Sequence, residues 1–151
     1  MPYARLRHYH QEGIMQKPVK EAVILLGHGS RVPGAGEGME KLAARMRERM
    51  RQAIVEFCYM SKIGPHFPET FEKCIAQGAT KMIVLPYFLH EGLHIREDIP
   101  EILLTEAKKH PGVELIQGRT LGYDDSLLDL VCKRFEESRS LPGVRNTKQT
   151  A

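Results

Sequence analysis

Two histidines and a carboxylate are the groups in this chain best suited to chemistry. His28 lies between glycines in Gly27-His28-Gly29-Ser30-Arg31, and His94 closes the segment His90-Glu91-Gly92-Leu93-His94. Neutral imidazoles ligate borderline divalent ions such as Co²⁺, Ni²⁺ or Fe²⁺ and also accept protons, and Glu91 can share the second task. Taken alone, His28 reads as a loop histidine; read together with His94 it becomes half of a metal site. The string H-E-x-x-H matches at 90–94, but a zinc protease needs it inside a helix, and Gly92 with Pro86 upstream argues against one. The glycines around His28 make no dinucleotide fingerprint, since residue 32 is valine. No Gly-Lys-Ser/Thr follows them, and Ser30 lies in no G-x-S-x-G elbow.

The elements that must position these groups follow from the apolar pattern. Glu21–Leu26, Ala53–Tyr59, Lys81–Leu89 and Val113–Gln117 read as strands. The run Met82-Ile83-Val84-Leu85 fits a strand buried on both faces. Helices are expected over 37–52, with Met39, Leu42, Ala43, Met46 and Met50 on one stripe, over 70–77 with Gly78 as its stop, and over 99–109. Asp98 with Glu101 has the spacing of a capping box for the third of these. Asp124 or Asp125 caps a fourth helix, whose Leu127, Leu128, Val131 and Phe135 share a side. The alternation βαβαβαβα predicts one α/β domain, a four-stranded parallel sheet with helices on both faces. Ligands of such sheets bind beyond the carboxyl ends of the strands, where both His28 and His94 fall.

At 151 residues and 42% hydrophobic, the chain suits one core. The expected organisation is a basic N-terminal arm over 1–20, the α/β domain over 21–138, and a flexible basic tail over 139–151. Of 22 basic residues seven lie in the two arms, against one of 19 acids, so the domain itself is near −3 and the excess of +3 is terminal. Solvated ends explain that distribution better than nucleic-acid binding. No run of about 18 apolar residues predicts a membrane span, and the N-terminus lacks the apolar stretch of a secretory signal. Cys58, Cys74 and Cys132 are odd in number and form no C-x-x-C, which points to reduced, mostly buried thiols in a cytoplasmic protein.

Taken in order, the pieces resemble the small class II chelatases, typified by sirohydrochlorin cobaltochelatase in its short, single-domain form. The signature is strand-GHGSR, a turn at Gln77-Gly78-Ala79 before an apolar strand, then PYFL, G-x-H and DIP, spanning about Ala22 to Glu137. The resemblance implies a chelatase-like α/β fold and insertion of Co²⁺ into sirohydrochlorin for cobalamin synthesis. Nickel- and iron-inserting relatives share the motif logic, and a non-catalytic carrier of metal or tetrapyrrole could use the same histidines. It further implies His28 and His94 as metal ligands, His28 also as proton acceptor, and Leu89, His90, Glu91, Gly92 and Leu93 as the loop lining the tetrapyrrole pocket. No permanently bound cofactor is implied, since the metal is a substrate. A homodimer enclosing the tetrapyrrole is expected.

The chemistry of such a site is the loss of two pyrrole protons and the exchange of the ion's water ligands. Imidazole ligates only through a deprotonated nitrogen, so insertion should fall as pH drops below about 6.5. Glu91 is a candidate proton relay. Arg31 and Arg96 are candidates for the carboxylates of the substrate, while Tyr87 and Phe88 are expected to pack in the core. Relatives often carry Glu before the proline corresponding to Pro65; here it is Gly64, with His66 two residues on. Whether His66 or His90 joins the site is left open by the sequence.

Overall fold

The computed structural model describes residues 17–61 and 63–144. Four strands, β1 (Glu21–Gly27), β2 (Ile54–Tyr59), β3 (Lys81–Pro86) and β4 (Glu114–Gln117), alternate with helices α1 (Glu37–Arg49), α2 (Phe67–Ala76), α3 (Ile99–Ala107) and α4 (Asp125–Ser138). All strands are parallel, in the order β2-β1-β3-β4. The first connection leaves β1 toward β2, and the next crosses to the other side of β1. The neighbours β1 and β3 therefore flank the point where the winding reverses, which opens a crevice at their carboxyl ends.

Strand β1 is buried on both faces, as its unbroken apolar run requires. Ala22, Ile24 and Leu26 face a core with Phe67 and Phe71 of α2 and Ile99 and Leu103 of α3. Val23 and Leu25 face the other way, onto Met39 and Ala43 of α1. Removing Phe71, which is fully buried, would cost about 3–5 kcal/mol. Lys20 belongs to this body, since its Nζ donates to the Gln77 carbonyl at 2.6 Å and its amide to Thr80 Oγ1 at 3.1 Å. Residues 1–16 of the basic N-terminal arm, and the tail beyond residue 144, lie outside the described residues. No helix among the described residues is long and apolar enough to cross a membrane.

Several expectations change. Strand β3 stops at Pro86 instead of Leu89, and it is buried on one face, with Ile83 and Leu85 half-covered on the other. The reason is α4. Asp124 does cap it, its Oδ1 accepting from the Ser126 amide at 2.8 Å, and the apolar residues do line up. Yet no residue of α4 is buried, so among the described residues it is α1 that covers this side of the sheet. Helix α2 starts at Phe67, three residues ahead of the expected Thr70, because Pro68 in a first turn needs no amide donor. It ends where expected, with Gly78 at φ 90°. The capping box at Asp98 does not form. Asp98 is itself helical and its side chain makes no cap hydrogen bond to α3, because a π-helical turn, His94–Asp98, already precedes that helix. Cys58 and Cys74 are buried free thiols, whereas Cys132 on α4 is exposed.

Candidate metal and tetrapyrrole site

His28 is the first residue after β1. The turn that holds it needs glycine at 29, where φ is 93° and a β-carbon would collide with the carbonyl oxygen of Ser61. The His28 carbonyl accepts from the Ser61 amide at 3.2 Å, so the loops after β1 and β2 are stitched together. His28 Nδ1 lies 3.2 Å from the Gly29 carbonyl. A carbonyl can only accept, so this contact places the ring proton on Nδ1 and the lone pair on Nε2, the form that can ligate a metal. The ring is exposed and borders a cleft of about 350 Å³, walled by Gly27, Gly29, Ser30, Tyr59 and Tyr87.

Tyr59, at the end of β2, forms the floor of that cleft. Its hydroxyl is buried with no hydrogen-bond partner among the described residues, and burial, with Glu40 and Cys58 nearby, pushes its pKa up. It stays a neutral phenol. A β-carbon at Gly36 would stand 2.6 Å from the hydroxyl oxygen, so glycine there makes room for the ring. Sequence reasoning missed Tyr59 and Ser61. Their position at the carboxyl end of a parallel strand is the signal that could have found them.

The second half of the site follows β3. Tyr87 is 38% exposed and lines the cleft, contrary to the expected core packing, whereas Phe88 does pack against the α2/α3 core. Leu89, His90, Glu91, Gly92 and Leu93 all face solvent, with Leu89 and Leu93 49% and 71% exposed. Two bare leucines beside polar groups offer a surface for a flat apolar ring. Glu91 lies 3.9 Å from Arg96 with both side chains mostly exposed, an ion pair worth little to stability. Arg31 is likewise exposed.

The expectation of a loop at His94 is corrected: its backbone opens the π turn. Pro100 accounts for that geometry. It has no amide to offer residue 96 and its ring crowds that carbonyl, so the preceding turn widens. The Gly92 carbonyl starts the turn, accepting from the amides of Ile95 and Arg96 at 3.1 and 3.2 Å. His90 and Glu91 therefore lie outside the helix and His94 within it, which rules out the one-helix arrangement of a zinc protease. His28 and His94 follow the ends of adjacent parallel strands, with Leu26 opposite Pro86 in the register, and so reach the same edge of the sheet. His66 caps α2 with its backbone, and its Nδ1 lies 3.2 Å from the Tyr59 carbonyl, a structural contact at the end of β2.

Known proteins share the fold of this chain. The CbiX family matches over residues 22–138. A sirohydrochlorin cobaltochelatase of Methanococcus aeolicus is 37% identical over 138 residues, covering 76% of this chain and 96% of that protein. A sirohydrochlorin ferrochelatase of Priestia megaterium is 29% identical, covering 85% of this chain but 48% of its own length. Among solved structures, SirB of Bacillus subtilis subspecies spizizenii in complex with cobalt superposes with a TM-score of 0.70 at 28% identity, over 79% of this chain and 51% of that one. The CbiX protein of Marinobacter aquaeolei VT8 does so with a TM-score of 0.65 at 29% identity, over 78% and 99%. The chain thus spans nearly the whole of its short relatives and about half of the long ones. With a matched segment that runs from the second residue of β1 to the end of α4, this chain belongs to the CbiX family.

Proposed function

We propose that this protein is a sirohydrochlorin cobaltochelatase, inserting Co²⁺ into the tetrapyrrole on the route to cobalamin. The observation that carries the reading is the placement of His28 and His94 after neighbouring strands, at the crevice where the sheet's winding reverses. His28 Nε2 and His94 hold the partly dehydrated ion as a substrate. As the metal–nitrogen bonds form the ion leaves His28, whose freed Nε2 lone pair takes one pyrrole proton while the Glu91 carboxylate takes the other, and both pass to water. Leu89 and Leu93 meet the macrocycle face, His90 and Gly92 complete that wall, and Arg31 pairs with a substrate carboxylate.

Sirohydrochlorin absorbance tests this directly. With excess Co²⁺, several turnovers per protein indicate an enzyme, and a single stoichiometric equivalent indicates a carrier and overturns the proposal. Iron is the second reading, favoured by the relative named a ferrochelatase and by a B. subtilis SirB structure with Fe³⁺, at a TM-score of 0.73. Initial rates with Co²⁺, Fe²⁺ and Ni²⁺ on one tetrapyrrole decide between them.

The working form is a homodimer in the cytoplasm, with two copies enclosing the substrate that one cleft leaves open. Support comes from α4, whose Leu128, Val131 and Phe135 are 50%, 58% and 63% exposed. Beside its first turn lies an apolar groove of about 650 Å³, floored by Leu25 and Leu85 and flanked by Leu42 and Met46 of α1. Burying such side chains yields about 1.5–3 kcal/mol each. Doubled by symmetry, that is of the order of the ~4–15 kcal/mol that association costs. The two buried free thiols support a reducing compartment.

A further inference from the structure

The carbonyl oxygen of Ile95 needs a donor that its own turn cannot supply. In an i→i+5 ladder it would accept from residue 100, which is proline and has no N–H. The side chain of Gln117 fills that place, its Nε2 donating to the Ile95 carbonyl at 3.2 Å from 22 residues away. Gln117 is itself well fixed. It pairs with Val84 in the β3–β4 register, and the next amide, Gly118, donates to the Val84 carbonyl at 2.8 Å. A β-carbon at 118 would stand 2.5 Å from Leu85 Cδ2, so the glycine lets the end of β4 lie this close. Ile95 in turn buries its side chain in the α2/α3 core, at 5% exposure. The π turn is therefore anchored twice at Ile95, once by packing and once by the Gln117 amide. The residue immediately before that anchor is His94.

We propose that Gln117 is a positioning residue for metal binding: by occupying the Ile95 carbonyl it holds the π turn in the conformation that presents His94. The proposal rests on the reading of His94 as a ligand. Partners that orient a metal ligand without touching the ion commonly govern affinity as strongly as this.

Gln117→Leu keeps the bulk and removes the donor, while Gln117→Lys restores a donor of similar reach. In the full-length protein, Gln117→Leu should raise the KM for Co²⁺ about tenfold and weaken Co²⁺ binding measured without tetrapyrrole by the same factor. The KM for sirohydrochlorin should not change, and Gln117→Lys should recover most of the lost affinity. Amide hydrogen exchange over residues 93–99 should accelerate in the leucine variant and slow again in the lysine variant, a readout independent of activity. Unchanged exchange and Co²⁺ affinity in Gln117→Leu, or equal losses for metal and tetrapyrrole, would overturn the proposal. Should His94→Ala leave Co²⁺ affinity intact, it is the ligand reading that falls, and exchange alone then reports whether Gln117 holds the turn.

Discussion

A β-carbon on Gly29 would collide with the backbone carbonyl oxygen of Ser61, so no side chain fits there between the loops after β1 and β2. Gly29→Ala must therefore force those loops apart and also place alanine at φ 93°, a region costing about 1–2 kcal/mol for an L-residue. The variant should melt at lower temperature and lose most metal insertion, because the displaced residue is His28's own neighbour. Gly112→Ala in the turn before β4, where a β-carbon meets nothing within 4 Å, is the control and should retain both properties.

His28→Ala and His94→Ala should each lower metal insertion by about 100-fold or more, the scale of losing a positioned proton acceptor or ligand. Circular dichroism should be unaltered, since His28 is an exposed residue in a loop after β1. Full activity in either variant would remove that residue from the mechanism.

If two copies cover each other's apolar groove, Phe135→Glu should convert the dimer to a monomer in light scattering. The substitution sits on an exposed face, so the isolated fold should keep its melting profile to within about 0.5 kcal/mol. A wild-type protein that stays monomeric at high concentration would contradict the dimer.

The buried thiols make a prediction at high pH. Burial pushes the pKa of Cys58 up to about 12 and that of Cys74 up to about 11, from 9.0. A pKa raised in the folded state favours folding below the unfolded value, and the advantage is lost as pH climbs through the folded one. Stability should thus hold to about pH 9 and erode toward pH 11–12, and Cys58→Ala with Cys74→Ala should flatten that limb. At pH 8 a thiol reagent should modify Cys132 alone in native protein and all three cysteines after unfolding.

Local pattern along the chain suffices for the order of elements and for the edge of the sheet at which His28 and His94 emerge. Unbroken apolar runs, helical stripes and stop signals such as Gly78 are properties of neighbouring residues, and a parallel alternating fold leaves its strand ends little choice of side. Whatever depends on partners distant along the chain waited for the folded molecule. Asp98 and Glu101 spell a capping box, yet Pro100 and the donor from Gln117 turn that stretch into a π turn. The stripe on α4 announces a buried helix, yet among the described residues it stays exposed, because a stripe specifies that a face wants covering and not what covers it. Tyr59 and Ser61 reached the site through strand pairing, and pairing between β1 and β2 is a contact no local spacing encodes.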